Sequence, residues 1–202
     1  MKLYYSPGVC SLAPHILLRE TDIEFTLEKV DARTKVTETG QDFLAINPNG
    51  YVPVLEVEPG ITLTEGPAIM QYIADRAPQA KLAPDAGSFE RYRLQSWLNF
   101  ITSEIHKGFS PLFKPDTLPE TKAAVKEQLA RRFDYVERHL SQHDKLLESG
   151  FTAADAYLFV TTGWSQFVGI DLQRWPAIVA FRKRVEQRPS VRAAMRAEGL
   201  LK

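Results

Sequence analysis

The sequence predicts an α/β amino-terminal domain of βαβ–ββα order, followed by an all-helical carboxy-terminal domain. Three observations predict it. Over the first 80 residues the apolar pattern switches between the strand period and the helix period. A Pro/Ala/Gly-rich connector, PQAKLAPDAGS, follows at 78–88. Beyond it every apolar pattern has the helical period. We therefore place the domains at 1–80 and 88–202, with a linker at 81–87.

Lys2 to Tyr5 is a short apolar strand, closed by the turn residues Ser6-Pro7-Gly8. Ser11 to Glu20 has Leu12, Ile16 and Leu17 at helical spacing, with Pro14 early enough for a first turn. Glu24 to Val30 alternates as a strand does. Residues 33–46 are polar and mixed, and predict a short helix with a loop. Asn47-Pro48-Asn49-Gly50 is a turn. Val52 to Val57 and Gly60 to Leu63 read as a hairpin joined at Glu58-Pro59-Gly60. Thr64 to Ala77 is a helix with Ala68, Ile69, Tyr72 and Ile73 on its apolar side.

In the second half, Phe89 to Phe113 reads as one long helix. Pro119 to His139 opens with proline at a helix start. Thr152 to Val168 is strongly apolar, Pro176 to Gln187 is amphipathic, and Pro189 opens a last short helix. Thr152 and Asp155 have the spacing of a capping box, a structural helix start.

Composition narrows the function classes. Apolar residues make up 44% and charged residues 25%, enough for a packed core. Net charge is zero but uneven: residues 1–80 carry six basic and eleven acidic side chains, and 81–202 carry nineteen and fourteen. The basic cluster Arg182, Lys183, Arg184, Arg188, Arg192, Arg196 reads as a solvated helix face, so no nucleic-acid partner is expected. No apolar run reaches the ~18–20 residues of a membrane span. The opening MKLYYSPGVC lacks a signal-peptide pattern. A cytoplasmic, non-membrane protein is the expectation. His139 and His143 are four apart without a third ligand, so no metal site is expected.

Four stretches carry chemistry. Cys10, the single cysteine, precedes a helix start, where unpaired N–H groups and the helix dipole favour a thiolate. A lone cysteine also serves as an inert core residue, and spacing does not decide between the two. In Tyr51-Val52-Pro53 a proline enters a strand after an Asn-Gly turn. A cis bond there would leave the Val52 backbone open to an extended peptide, and an ordinary trans proline fits the sequence as well. Thr64-Glu65-Gly66-Pro67 opens a helix, and its N–H groups with Glu65 suit an amino-acid zwitterion, or Glu65 simply favours the helix dipole. Asn99, Ser103, His106 and Lys107 recur at three- and four-residue spacing as polar interruptions of an apolar helix.

The opening MKLYYSPGVCSLAPHILLRE, then NPNGYVPVLE, LTEGPAIMQYIAD and FTAADAYLF, together resemble beta-class bacterial glutathione transferases over the whole chain. The resemblance implies a thioredoxin-like amino-terminal domain, a helical carboxy-terminal domain, a homodimer, and a glutathione site in the cleft between domains. It implies that Cys10 sits beside the glutathione sulfur and can form a mixed disulfide with it. Tyr5 takes the place of a tyrosine that other classes use to activate the thiol, with a smaller part here. Lys35 is implied near the glycyl carboxylate, Val52 and cis Pro53 at the cysteinyl backbone, and Glu65 and Gly66 at the γ-glutamyl end. Ser103, Glu104, Ile105 and His106 are implied in the cleft, His106 near the thiol. Lys107 is their neighbour, and Asn99 reaches the partner subunit's glutathione. Catalysis is thus assigned to Cys10, His106 and Tyr5. The family usually has Ser where this chain has Gly66, which predicts weaker glutathione binding.

The implied activity is conjugation of glutathione thiolate to small hydrophobic electrophiles, a detoxification chemistry. Glutathione is the co-substrate and no cofactor is held permanently. Phe109, Phe113 and Trp164 are the aromatic candidates for the electrophile's side. Two alternatives remain: a glutathione-dependent thiol-disulfide oxidoreductase or peroxidase working through a Cys10 mixed disulfide, and a non-catalytic glutathione-binding module.

Overall fold

A computed structural model describes residues 1–201. Two compact units divide the chain: Met1–Ala83 with Arg188–Lys202, and Pro84–Gln187.

The first unit is built on a four-stranded mixed sheet of order β2-β1-β3-β4. Its strands are β1 (Lys2–Tyr5), β2 (Thr26–Lys29), β3 (Val54–Glu58) and β4 (Ile61–Leu63). β1 runs parallel to β2, with Leu3 opposite Leu27, and antiparallel to β3, with Leu3 opposite Leu55. A strand paired on both edges and covered on both faces should be apolar throughout, and Leu3, Tyr4 and Tyr5 are all buried. Alternation sends Tyr4 to one face, where it packs with Val30, Phe43 and Val54. β3 and β4 pair antiparallel with a register shift between Glu56 and Glu58. The hairpin turns at Gly60, whose φ of +77° suits glycine. Its N–H donates to Glu56 Oε1 at 2.9 Å.

Helices α1 (Leu12–Arg19) and α3 (Gly66–Arg76) pack against each other, and α2 is the single turn Phe43–Ile46. Pro14 falls in the first turn of α1 and Pro67 opens α3, where a missing N–H leaves no helical bond unmade. The chain's last helix, α9 (Pro189–Ala197), also packs on α1. We expected 188–202 to lie with the helical domain, but it groups with the first unit. Two polar links and an apolar face explain this. Glu20, just past α1, accepts from Arg188 Nε and Nη2 at 2.6 and 2.9 Å and from the Ser190 hydroxyl. Glu198 reaches His15 of α1, and Val191 and Ala194 are fully buried.

The second unit is helical: α4 (Phe89–Phe100), α5 (Lys107–Phe113), α6 (Pro119–Leu140), α7 (Ala153–Gly163) and α8 (Pro176–Glu186). The single rod expected over 89–113 is interrupted by a π-helical segment at Ile101–His106. Thr102 and Ser103 turn their hydroxyls onto the carbonyls of Leu98 and Asn99, at 2.7 and 3.0 Å. Those are the acceptors an α-helical ladder would use there, and hydroxyl back-bonding competes with the ladder.

α7 is buried from Ala153 to Thr162 and secured at both ends. Asp155 accepts from the Thr152 N–H at 2.8 Å, the Thr152 hydroxyl at 2.7 Å and the Leu146 N–H at 2.9 Å, completing a capping box. At the other end Arg182 donates to the Phe159 carbonyl and to the Thr162 hydroxyl. Burial lowers the Arg182 pKa to about 10, which leaves it cationic against the negative end of the helix. A Cβ at Gly163 would lie 3.0 Å from its guanidinium, so a larger residue there would press on Arg182. The helix expected over 152–168 ends at Gly163, and Trp164–Phe167 continues as a 3-10 turn. The basic cluster expected as one solvated face is divided: Arg182 caps α7, Arg184 pairs with Asp144 and Arg188 with Glu20. Among the described residues no helix is long and apolar enough to cross a membrane.

Candidate active site

In the first unit the loop after β1 delivers Cys10 to the start of α1. Ser11 closes this loop from inside: its hydroxyl accepts from the Ser6 N–H at 3.2 Å and donates to the Ser6 carbonyl at 3.1 Å. Ser6 in turn donates to the Val30 carbonyl at 2.6 Å, tying the loop to the end of β2. Cys10 is half-buried, and its thiol donates to the Val52 carbonyl at 3.3 Å. We expected the Val52 carbonyl to be open for a peptide; here the thiol occupies it. A thiol is a weak donor, so an amide N–H readily takes its place.

The Val52–Pro53 peptide is cis. Cys10, Lys35 and Val52 line one cavity of about 190 Å³, with Ser6, Val9 and Tyr51 among its other walls. Lys35 has φ +60° and donates from Nζ to the Gly50 carbonyl at 2.8 Å, 5.9 Å from the Tyr51 ring centre. Glu65 has φ +66° and ψ +112°, a strained backbone for a residue with a Cβ. The strain sets the turn from β4 into α3, whose first N–H groups face out of the helix start. A Cβ on Gly66 would meet only Pro53 Cγ, at 3.8 Å. Position 66 therefore adjoins the cis proline and has room for a larger side chain.

Tyr5 does not line this cavity. Its ring is buried and packs 6.2 Å from the His15 ring. Burial, then the charges of Glu38 and Glu198, push its phenol above the usual range. It is a phenol at neutral pH, not a base. The structure thus brings together Cys10, Lys35, Val52, Pro53 and Gly66, with Glu65 beside Gly66, and leaves Tyr5 behind them.

In the second unit the π-helical segment alters which side chains come forward. Asn99 and Ser103 are exposed and joined by the Ser103 hydroxyl on the Asn99 carbonyl. Lys107 is exposed as well. Glu104 is engaged by Arg132 Nε at 2.5 Å. Ile105 is fully buried, so its side chain belongs to the core and is not a ligand contact.

His106 is the chemically distinctive group. Its Nδ1 lies 2.5 Å from the Tyr157 hydroxyl, and its ring meets Trp164 edge-on with centres 4.9 Å apart. Burial, then the charge of Lys107, lowers its pKa from 6.5 to about 4. The imidazole is therefore neutral at pH 7. The phenol, as the stronger acid, donates to Nδ1, so Nε2 carries the proton and is a donor. Tyr157 was not anticipated from sequence, since 51 positions separate it from His106. Phe109, Phe113 and Trp164 do cluster, with Trp164 edge-on to both. Phe109 is fully buried, whereas Phe113 is half exposed.

Two family models match the chain: the glutathione S-transferase N-terminal domain over residues 1–75 and the C-terminal domain over 100–189. The chain belongs to the glutathione S-transferase family. It is 47% identical over 200 residues to glutathione S-transferase GstA of Escherichia coli O157:H7, covering 99% of this chain and 100% of that one. Among solved structures it matches a ternary complex of BphK, a bacterial transferase, at 56% identity and TM-score 0.97, over 99% of this chain and 100% of that one. It matches a bacterial beta-class transferase from Sphingomonas chungbukensis at 50% identity and TM-score 0.96, over the full length of both. A sphingomonad transferase complexed with glutathione matches at 50% identity and TM-score 0.96, over 99% of this chain and 100% of that one. The beta-class resemblance and the transferase fold, a thioredoxin-like four-stranded unit followed by a helical one, are thereby borne out.

Proposed function

We propose that this glutathione transferase binds glutathione against the Cys10 cavity of residues 1–80 and transfers its thiolate to small hydrophobic electrophiles. The observation that carries this reading is the convergence of Cys10, Lys35 and the Val52 backbone on one cavity, with Gly66 adjoining Pro53. Each matches one part of the tripeptide. The Lys35 ammonium suits the glycyl carboxylate. The Val52 backbone pairs with the cysteinyl amide, releasing the Cys10 thiol from the Val52 carbonyl. The helix start at Gly66 takes the γ-glutamyl carboxylate and Glu65 its ammonium. Holding the thiol at the Cys10 loop lowers the entropy cost of meeting an electrophile.

To Asn99, Ser103, Glu104, His106 and Lys107 we assign the remaining contacts with glutathione, and to His106 Nε2–H a hydrogen bond to its thiolate. An N–H donor to the anion favours ionisation of the thiol. The side chain of Ile105 supports the helix behind them. We also propose that the enzyme is a cytoplasmic homodimer serving detoxification and holding no permanent cofactor. Phe89 and Tyr92, 71% and 59% exposed on α4, are apolar side chains that a dimer contact would cover.

A second reading rests on the thiol in the cavity wall. Cys10 thiolate attacks a glutathione-containing disulfide, forming a mixed disulfide and expelling one thiolate. Reduced glutathione then attacks the mixed disulfide, releasing glutathione disulfide and restoring Cys10. Titration with reduced glutathione, followed by conjugation of a generic aryl halide, separates the two on wild type and Cys10→Ala. Binding and conjugation by both proteins supports the transferase with Cys10 auxiliary. Binding without conjugation by either turns the reading to thiol-disulfide exchange or to a binding module. Absence of binding by wild type refutes the glutathione assignment.

A further inference from the structure

The loop that carries Cys10 is held from outside by a residue 190 positions away from it in sequence. Glu198, just beyond α9, is 6% exposed, and its side chain is fully enclosed. Its Oε2 accepts from the Gly8 N–H at 2.9 Å. Its Oε1 lies 2.8 Å from Nδ1 of His15, also fully buried. Arg19 Nε donates to His15 Nε2 at 3.3 Å. A nitrogen that accepts carries no proton, so the His15 proton is on Nδ1 and points at Glu198. Both carboxylate oxygens are thus satisfied, as a buried anion requires.

The same segment touches Gly8 a second time. Gly8 has φ +72°, and Leu200 packs over it: a Cβ there would lie 3.3 Å from Leu200 Cδ2. Gly8 is two residues before Cys10, where the loop hands over to the turn in which the Val9 and Cys10 carbonyls accept from the Leu12 and Ala13 N–H groups at 3.0 and 3.1 Å. We propose that Glu198 is a positioning residue for Cys10: by fixing the Gly8 N–H it sets the path of residues 8–10 and keeps the thiol at the start of α1. The transferase reading gives this a purpose, since a bound glutathione would find its thiol beside the same loop, and the proposal rests on that reading only for its consequence in turnover.

Cys10 is the only cysteine, so alkylation by iodoacetamide reports its reactivity without glutathione. The test compares wild type with Glu198→Gln, which keeps the volume but cannot accept from both neighbours. Glu20→Ala serves as the control, because it cuts the other polar link between α9 and α1 and leaves Gly8 untouched. At a temperature where all three are folded, Glu198→Gln is expected to be alkylated at least about threefold more slowly at pH 7, with the midpoint of the rate–pH profile raised by about half a unit; removing the Glu198 charge would by itself lower the midpoint, so a rise reports loss of the helix-start environment. Glu20→Ala should lower the melting temperature and leave rate and midpoint alone. In turnover, kcat should fall in Glu198→Gln while KM for glutathione stays within about twofold.

Unchanged alkylation in folded Glu198→Gln would overturn the proposal, and so would an equal change in Glu20→Ala. If Glu198→Gln does not fold, Leu200→Ala carries the test, since Leu200 is 39% exposed and also bears on Gly8. Alkylation slowed about twofold supports the proposal, and an unaltered rate overturns it. Wild type that turns over no electrophile with glutathione would refute the transferase reading, while the alkylation comparison still judges Glu198.

Discussion

Replacing His106 by Asn should change how stability depends on pH, and the structure fixes both sign and size. Burial lowers the folded-state pKa of His106 from 6.5 to about 4. Above pH 6.5 the imidazole is neutral in both folded and unfolded chains. As pH falls from 6.5 towards 4 the unfolded chain takes up a proton that the folded one refuses, so stability is lost through that window. At 1.36 kcal/mol per unit, the loss at full titration is roughly 3 kcal/mol. That is a large share of the ~5–15 kcal/mol that holds a typical domain together. Asn can keep a partner for the Tyr157 hydroxyl and does not titrate. The assay is urea unfolding of wild type and His106→Asn at several pH values between 4 and 7.5. The two curves should diverge below pH 6.5, the variant losing less. Parallel curves would refute the reasoning, because they would mean that His106 protonates as readily in the fold as out of it. Neutrality is also what lets Nδ1 accept from the Tyr157 hydroxyl, which leaves the ring proton on Nε2.

Two further predictions follow from positions where the chain's local chemistry is plain. Gly66→Ser should tighten glutathione binding by about 1.5–3 kcal/mol at most, since a hydroxyl can reach a charged carboxylate and nothing lies closer than 3.8 Å to the new Cβ; titration calorimetry showing equal affinity would contradict it. Asp155→Ala strands the N–H groups of Leu146 and Thr152 and the Thr152 hydroxyl, and should cost about 3 kcal/mol or more of stability. Thr152→Ala should cost about 1 kcal/mol, as a lost cap does. Neither should alter the ratio of rates on two electrophiles, and unchanged melting temperatures would count against the capping argument.

How far the structure was legible in the sequence depends on how local each feature is. β1 was read residue for residue because the run Leu3-Tyr4-Tyr5 after Lys2 ends on Ser-Pro-Gly. The capping box was legible because its two members are three apart. The Cys10, Lys35 and Val52 grouping came from the family resemblance and not from spacing, since three separate loops build it. The π-helical segment had no such signal: the buried run Leu94, Leu98, Ile101, Ile105, Phe109 and Leu112 keeps the ordinary α-helical period across it. The His106–Tyr157 and His15–Glu198 pairs had no local signal at all, because each partner completes the other only after the chain has folded.

Charge shows most clearly how folding can undo a sequence pattern. A deficit of five in residues 1–80 and a surplus of five afterwards divide the sequence by sign. The compact units do not carry it. Met1–Ala83 with Arg188–Lys202 has eleven basic and twelve acidic side chains, and Pro84–Gln187 has fourteen and thirteen. The terminal segment returns Arg188, Arg192 and Arg196 to the acidic first unit. Neither unit then has a net field strong enough to draw an anion from a distance. Attraction for an anionic tripeptide must instead be short-range, from the Lys35 ammonium and the N–H groups that open α3. Such contacts act within a few ångströms, inside the Debye length at ordinary salt. Glutathione affinity should accordingly change little between low and physiological ionic strength, and Lys35→Met should weaken it more than any change of salt does. A steep fall in affinity across that salt range would mean that a wider field, which the two near-neutral units do not supply, holds the ligand.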